Sequence, residues 1–367
     1  MKKRWKRRIR HRFKRGLNSV LRLIVRPVAG QVPCATEVRH ILVCRINHRF
    51  GNTLFLTPLL NALEATFPAA TVDIALGDKS LAPLLGNRPN VGQIFAFARW
   101  DWREIRRFAR LALQLRKASY DLVIDPCHDS IGDRMVSAWV HTKGRVGFQT
   151  ASQWLPLTVA VAPSDQPGHD ARAPLVLLQS FVTPQTAPFS DCLDLRLSPE
   201  ELRTGAEDLR ECTKNQLLAG QKTLGFFIDA RNRKRLPASW WAGWVEAIRS
   251  KAPEVGLVQL VAPGASPAYP GVPCIESADL RPLGAVLANL DLFVSCDTGP
   301  MHLASAAGVA TLGLFTVTNP VRYGPIGPED EALEINGIDP ALVAERVLAR
   351  LERVTRGSSV IQDPLKR

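Results

Sequence analysis

The cysteines of this sequence show no pairing pattern. There are seven of them, an odd number, at positions 34, 44, 127, 192, 212, 274 and 296, and none forms a CxxC pair. Disulfide frameworks and zinc sites are recognised from regular, closely spaced cysteines. The sequence therefore indicates neither, and it favours a reducing compartment.

Long apolar runs are also lacking. No stretch reaches the length that a transmembrane helix requires. The apolar part of the N-terminus, residues 20–25, is interrupted by Arg22. It is too short and too charged for the apolar region of a secretory signal. The sequence thus predicts neither a membrane-spanning segment nor a signal peptide.

Acidic residues are absent from residues 1–26, which we call the basic arm and which holds twelve of the 47 Lys and Arg residues. The net charge of the whole chain is +13, so the remaining residues are nearly neutral. A neutral body argues against a nucleic-acid-binding protein.

The apolar residues of the basic arm recur at helical spacing. They are Trp5, Ile9, Phe13, Leu17, Val20 and Ile24. A basic helix with Trp and Phe on its apolar stripe fits the surface of an anionic membrane. A disordered basic tail and an RNA-binding segment are the alternatives.

The rest of the chain predicts an α/β protein with two doubly wound domains. A length of 367 residues, with 46% hydrophobic and 22% charged residues, suits two globular domains. Buried strand patterns alternate with helical ones in both halves. We predict a basic arm and linker at 1–36, domains at 37–190 and 191–354, and a disordered tail at 355–367.

The elements expected from periodicity are as follows. In the first half they are strands at 40–46, 71–76, 91–97, 121–126 and 145–148, and helices at 53–67, 79–85, 102–118 and 131–141. In the second half they are strands at 223–228, 256–262, 292–296 and 310–315, and helices at 199–218, 237–250, 282–289 and 340–353. A further helical run covers 173–182.

One stretch of the second half suggests a ligand site. The strand at 292–296 is followed by the turn DTGP at 297–300, a small-residue helix and the strand at 310–315. Ligands bind at the carboxyl ends of strands in such sheets. Pro300 suits the first helical position, and Thr298 or Gly299 could cap the helix. The free N–H groups of this helix would suit a phosphate; the simpler alternative is a packed βαβ unit whose Asp only caps a helix.

Three motifs resemble those of glycosyltransferase family 9, the ADP-heptose:lipopolysaccharide heptosyltransferases. They are ILVCRI at 41–46 with GNTLFLTPLLNAL at 51–63 and FP at 67–68, DARNRKRLP at 229–237 with WWAGW at 240–244, and DTGPMHLA at 297–304 with LF at 314–315 and RYGP at 322–325. The resemblance covers roughly residues 38 to 350. It implies the GT-B fold, in which two Rossmann-like domains face each other across a cleft.

The resemblance also implies roles for particular residues. A nucleotide sugar, ADP-linked in this family, would bind the second domain and the glycolipid acceptor the first, with no metal and no further cofactor. The donor-binding set is Arg231, Arg233, Lys234, Asp297, Thr298, Gly299, Pro300, Met301 and His302. The acceptor-binding set is Arg45, His48, Gly51 and Asn52. Lys234 and the helix N-terminus would stabilise the charge that develops on the leaving diphosphate.

Two positions depart from the family pattern. Asn52 stands where these enzymes carry the Asp that serves as general base, and an amide cannot take up a proton at physiological pH. His48, His128 and Asp129 are the other candidates for the base, although His128 suits a structural role equally well. The segment GASPA at 264–268 lacks the Glu that holds the donor ribose in some members.

These observations leave three hypotheses for function. The first is an inverting glycosyltransferase with catalytic residues Asn52, His128, Lys234 and Asp297, acting on a lipopolysaccharide-type or other glycolipid acceptor at the inner face of the cytoplasmic membrane. The second is a non-catalytic, membrane-associated binding protein that keeps the fold. The third, an RNA-associated protein acting through the basic arm, is disfavoured by the neutral body.

Overall fold

The computed structural model describes residues 28, 31–97, 105–128, 130–150, 155–162, 168–182, 189–214, 216–218 and 220–354. The basic arm, the tail from 355 onward and Asp129 lie outside these residues, so the expectations for them stay predictions. Among the described helices, none is long and apolar enough to cross a membrane.

The first half of the chain builds a parallel six-stranded sheet. Its strands are β1 (His40–Arg45), β2 (Thr71–Leu76), β3 (Val91–Ala96), β4 (Ser119–Asp125), β5 (His141–Phe148) and β6 (Val159–Val161). They lie in the order β3-β2-β1-β4-β5-β6, and every pairing is parallel. The chain therefore adds β2 and β3 on one side of β1, and then crosses over to add β4, β5 and β6 on the other. In such sheets ligands bind at this switch point, between β1 and β4.

The second half repeats this topology. Its strands are β7 (Thr223–Phe227), β8 (Gly256–Val261), β9 (Cys274–Glu276), β10 (Leu292–Cys296), β11 (Ala310–Phe315) and β12 (Glu331–Glu334). The order is β12-β11-β10-β7-β8-β9, again all parallel. The expected pair of doubly wound sheets is confirmed.

Helices cover the faces of both sheets. They are α1 (Phe50–Leu54), α2 (Thr57–Thr66), α3 (Ile105–Lys117), α4 (Ile131–Trp139), α5 (Ala173–Gln179), α6 (Pro199–Cys212), α7 (Ala238–Lys251), α8 (Leu280–Leu287), α9 (Gly299–Ala307), α10 (Pro320–Tyr323) and α11 (Pro340–Arg353), with short 3-10 helices at Lys79–Leu85 and Asn232–Lys234. Strands such as β10 are buried along their whole length because helices cover both faces of a parallel sheet.

Some expected elements differ from the observed ones. The single helix predicted at 53–67 is two helices, because the chain turns at Phe55–Leu56 before Pro58 enters the first turn of α2. The hydroxyl of Thr57 donates to the carbonyl of Leu54 at 2.8 Å across this break. Strands β6, β9 and β12 were not predicted, because three- and four-residue strands at sheet edges carry little periodicity.

The two halves are in direct contact away from the crevice as well. Arg281 at the start of α8 donates to the carbonyl of Pro83 in the first half at 3.0 Å and to Glu201 of α6 at 2.5 Å. The amide of Asn87 reaches the carbonyl of Arg196 at 2.8 Å. The hydrogen bond from Arg281 lowers the pKa of Glu201 to about 2. These hydrogen bonds of Arg281 and Asn87 join the two halves near the point where the chain passes from one half to the other.

Candidate functional site

A buried carboxylate stands at the centre of the predicted donor turn. Asp297 follows β10 directly and is only 8% exposed. Its Oδ2 accepts hydrogen bonds from Nζ of Lys234 at 2.5 Å and from Oγ1 of Thr318 at 2.6 Å. Three loops, which follow β7, β10 and β11, are therefore tied together at the carboxyl ends of neighbouring strands.

Lys234 is presented by a tight turn. The 3-10 helix Asn232–Lys234 comes after β7, and Asn232 has a positive φ of 58°. Arg231 and Arg233 of the same loop are exposed, and Arg235 pairs with Asp229. The loop thus turns Lys234 inward to Asp297 and leaves two arginines facing solvent, where an anion could meet them.

The turn that precedes α9 differs in detail from expectation. Thr298 is the N-cap residue, but its hydroxyl lies 2.9 Å from Oγ of Ser295 and makes no side-chain cap. Gly299 begins the helix, and Pro300 takes the second position rather than the first. A Cβ on Gly299 would lie 2.1 Å from Cζ of Phe50, so a side chain from the first half packs directly on this turn.

Met301 and His302 face the interior. Met301 is fully buried, and a Cβ at Gly313 would lie 2.7 Å from its sulfur. His302 is 6% exposed and meets the ring of Phe55 edge-on with centroids 4.8 Å apart. Burial lowers the pKa of His302 to about 4. Both side chains are buried beneath the turn, and the expectation that they contact the donor stays a prediction.

One of the predicted acceptor-side residues contacts the predicted donor side. Gly51 lies against His302, since a Cβ there would come 3.1 Å from Cδ2 of the imidazole. Arg45 is also buried, and its Nε donates to the carbonyl of Asn52 at 3.1 Å. Arg45 therefore supports the backbone at Asn52, and its expected contact with the acceptor stays a prediction. Asn52 is half-buried and His48 is exposed.

Two carboxylates and a thiol lie close to Arg45, on the acceptor side. Asp125, Cys127 and Asp133 place one ligand atom each within 4.8 Å of one another, which is the one such group found among the described residues. However, Nη1 of Arg45 donates to the Cys127 sulfur at 3.2 Å, so a positive charge already stands beside them. Burial and the neighbouring Asp133 raise the pKa of Asp125 to about 8. Asp133 also accepts from the backbone N–H of Ile46 at 2.5 Å, which holds the end of β1. We interpret the cluster as structural.

His128 follows β4 on the same side of the crevice. Its ring packs on Phe148 with centroids 4.1 Å apart, and its carbonyl accepts from Arg134 at 2.5 Å. Burial lowers the pKa of His128, so the imidazole is neutral at physiological pH and one ring nitrogen can accept a proton.

Several residues at this site were not singled out from sequence. Thr318 and the ion pair of Arg322 with Asp170, 2.7 Å long, were missed, as was His169, whose Nε2 lies 2.8 Å from the carbonyl of Gly324. Thr318 follows β11, so the rule that located Asp297 could have found it. Asp170 and His169 lie in a stretch rich in Pro and Ser, which gives no periodic signal.

A carboxylate also meets the segment at 264–268. Glu276, at the end of β9, accepts from the backbone N–H of Gly264 at 2.7 Å. A carboxylate of the neighbouring strand thus lies beside this segment, a pairing that the sheet order makes possible.

Two Rossmann-like parallel sheets of this kind make up the GT-B fold. The model of glycosyltransferase family 9 (heptosyltransferase) matches residues 108–348. The chain belongs to this family and is a glycosyltransferase.

Similar proteins agree with this assignment. Lipopolysaccharide heptosyltransferase 3 of Escherichia coli is 22% identical over 301 residues, which are 75% of this chain and 83% of that protein. The structure of E. coli ADP-heptose lps heptosyltransferase II is similar with a TM-score of 0.66 and 19% identity, over 86% of this chain and 99% of that one. E. coli heptosyltransferase WaaC with ADP gives the same TM-score at 17% identity, over 86% and 100%. These structural likenesses establish the fold.

Proposed function

We propose that the protein transfers a heptose from an ADP-linked donor to a lipopolysaccharide-type glycolipid, with inversion at the anomeric carbon. The observation that carries this proposal is the bond of Lys234 to Asp297 at the N-terminus of α9, in a chain of the heptosyltransferase family. Similar proteins are named for heptose transfer to lipopolysaccharide, and one was solved with ADP.

The donor diphosphate would lie between the basic turn and the start of α9. Lys234 brings one ammonium to this place, and Arg231 and Arg233 of the same turn are exposed. Thr298, Gly299 and Pro300 at the start of α9 are half-buried. Positive charge and N–H donors lower the activation barrier most when they lie where negative charge develops in the transition state, here on the leaving diphosphate. Glu276 is the carboxylate that we assign to the donor ribose.

Asp297 has a positioning role in this proposal. It fixes the ammonium of Lys234 by a bond of 2.5 Å, while Thr318 satisfies the same carboxylate oxygen. A side chain with four rotatable bonds is thereby held in one place before the donor arrives, which reduces the entropy lost on binding.

The acceptor hydroxyl would lie beside Asn52 and His128. The amide of Asn52 can orient the hydroxyl, and the neutral imidazole of His128 can take its proton. Arg45 holds the Asn52 carbonyl from below, so the turn is fixed without contacting the sugar. This division of roles accounts for transfer without an aspartate at position 52.

The basic arm would place the enzyme on the inner face of the cytoplasmic membrane, where a lipid-linked acceptor is exposed. Its apolar stripe with Trp5 and Phe13 and its twelve basic residues support this assignment. Flotation with anionic vesicles tests it. Deletion of residues 1–26 should reduce flotation strongly, and unchanged flotation would contradict the assignment.

Transfer itself is tested with purified protein, ADP-heptose and a lipopolysaccharide acceptor that lacks its heptoses. We expect release of ADP and an acceptor heavier by one heptose, and no product when a UDP- or GDP-linked sugar replaces the donor. Isothermal titration with ADP provides an independent readout of the donor site. Failure to bind ADP together with failure to transfer would refute the proposal.

A further inference from the structure

Exposed apolar side chains are concentrated on two neighbouring helices of the first half. Among the described residues, seven large apolar side chains are exposed, and three of them lie on α3 and α4. They are Leu113, Met135 and Trp139, with exposed fractions of 58%, 45% and 41%. This set includes the exposed Trp and Met of the described residues, while the other four are scattered Leu and Val.

Basic residues surround these apolar side chains. Arg106, Arg110, Leu113 and Lys117 follow one another at spacings of four, three and four, so they form one stripe of α3. All four are exposed, and α3 contains no acidic residue. The acidic residue of α4, Asp133, is fully buried. Among the described residues of α3 and α4, the exposed charged side chains are therefore all basic and lie beside exposed apolar ones.

Trp139 is held at the surface by specific contacts. Its indole N–H donates to the carbonyl of Ala112 at 2.7 Å, and the guanidinium of Arg116 lies 4.9 Å from its ring centroid. Arg116 also donates to the Trp139 carbonyl at 3.0 Å. The indole N–H of Trp139 thus already has a hydrogen-bond acceptor within the protein. The part of the ring that is exposed at the surface is therefore apolar.

This face lies near Val28 at one end and near the end of β1 at the other. A cavity of about 420 Å³ beside it is lined by Arg116, His141, Lys143 and Val28, among others. Val28 is the described residue that lies closest in sequence to the basic arm. At its other end α4 begins next to β1, since a Cβ on Gly132 would lie 3.4 Å from Cγ2 of Ile46. The face therefore lies between the cavity at Val28 and the loop that follows β1.

We propose that the α3–α4 face, made of Arg106, Arg110, Leu113, Lys117, Met135 and Trp139, docks on an anionic lipid bilayer. Its uniform positive charge complements anionic headgroups, and Trp with Leu and Met suits the interfacial region. The residues of this surface are distinct from those of the basic arm, and the proposal does not rest on the proposed transfer reaction.

The test measures partitioning of the full-length protein onto vesicles of phosphatidylcholine alone or mixed with an equal amount of phosphatidylglycerol. Each basic side chain at an anionic surface contributes about fivefold to partitioning, so we expect Arg106→Gln with Arg110→Gln to weaken binding to the mixed vesicles about twenty- to thirtyfold. Leu113→Ser with Met135→Ser should weaken binding severalfold as well, because it removes apolar contact.

Matched controls come from the second half. Arg203→Gln with Arg210→Gln removes two exposed arginines from α6, and Leu342→Ser changes a leucine that is 58% exposed, as Leu113 is. We expect both controls to partition as the unaltered protein does. Thermal midpoints and ADP titration of all variants verify that the fold and the donor site are intact. A loss of ADP binding would therefore be distinguished from a loss of vesicle binding.

Partitioning of the α3 and α4 variants that matches the controls would overturn the proposal. A second pair of results would also overturn it. If sedimentation showed that the protein is a dimer, and if Leu113→Ser with Met135→Ser dissociated this dimer but left vesicle binding unchanged, the face would bind a second copy of the chain.

Discussion

The ammonium of Lys234 lies 2.5 Å from Oδ2 of Asp297, and this bond joins the loops after β7 and β10 at the centre of the candidate donor site. Asp297 is almost completely buried, so the pair is more than a surface ion pair. Removal of one partner would leave a buried charge uncompensated, which costs several kcal/mol in such pairs. The same bond therefore stabilises the turn and presents a positive charge to a ligand.

We predict that Lys234→Gln lowers kcat for sugar transfer about 10²–10³-fold, because the leaving diphosphate loses its charged partner. Arg235→Gln is the matched control, since Arg235 lies in the same loop but pairs with Asp229. The double variant Lys234→Gln with Asp297→Asn should regain thermal stability without regaining activity. Recovery of both together would show that Lys234 acts only through the fold.

A second prediction concerns Thr318, which donates to Asp297 at 2.6 Å. A hydrogen bond to a charged group contributes about 1.5–3 kcal/mol, so Thr318→Val should lower stability by that order and weaken ADP binding about tenfold. Thr316→Val is the control, because the Thr316 hydroxyl is bonded only to the carbonyl of Arg233 at 3.4 Å. Equal effects of the two changes in ADP titration would contradict the role given to Thr318.

The sequence predicted the sheets better than the contacts between them. The buried strands β1 and β10 and the turn at Asp297 follow from local patterns of apolar and small residues. The packing of Phe50 on Gly299 and of Gly51 on His302 does not, because it depends on how two sheets meet. For the same reason the sequence did not predict that Met301 and His302 are buried. It also did not predict the hydrogen bonds of Thr318 with Asp297 and of Glu276 with Gly264.

A third prediction uses the contact between Phe50 and Gly299. A Cβ on Gly299 would overlap the Phe50 ring, so we expect Gly299→Ala to lower the free energy of unfolding by about 1–3 kcal/mol. Phe50→Ala in the same chain should restore much of this loss, which a double-mutant cycle measures. Gly132→Ala in α4 is the control, since nothing lies closer than 3.4 Å to its Cβ position. Additive effects of the two changes would mean that the halves do not meet at this point.

A fourth prediction concerns pH. Burial lowers the pKa of His302 from 6.5 to about 4, so the unfolded chain binds a proton in this range that the folded chain does not. Stability should therefore fall as the pH drops from 6.5 toward 4, by up to about 3 kcal/mol. His169, whose pKa burial also lowers, contributes with the same sign, whereas Asp125, with its raised pKa, contributes with the opposite one.

The His302 contribution is isolated by comparison with His302→Gln, which cannot titrate. The difference in unfolding free energy between the two proteins should change between pH 6.5 and 4 and stay constant above pH 7.5. A difference that is independent of pH throughout would show that His302 is accessible to protons in the folded state.

The last prediction addresses the missing aspartate at position 52. If His128 accepts the acceptor proton, His128→Gln should lower kcat about 10²–10⁴-fold. Asn52→Asp in that background should restore part of the rate, because a carboxylate then stands where the hydroxyl is oriented. The acidic limb of the pH–rate profile should also move to lower pH, since a carboxylate titrates below an imidazole.

Asn47→Asp is the matched control for this rescue. Asn47 lies in the loop that precedes α1, and its side-chain oxygen accepts from the N–H of Arg49 at 2.9 Å, a bond that a carboxylate can keep. It adds the same charge without approaching the proposed acceptor position, so it should not restore activity. If His128→Gln keeps kcat within about twofold of the unaltered protein, general-base catalysis by His128 is excluded, because a positioned base contributes far more than that.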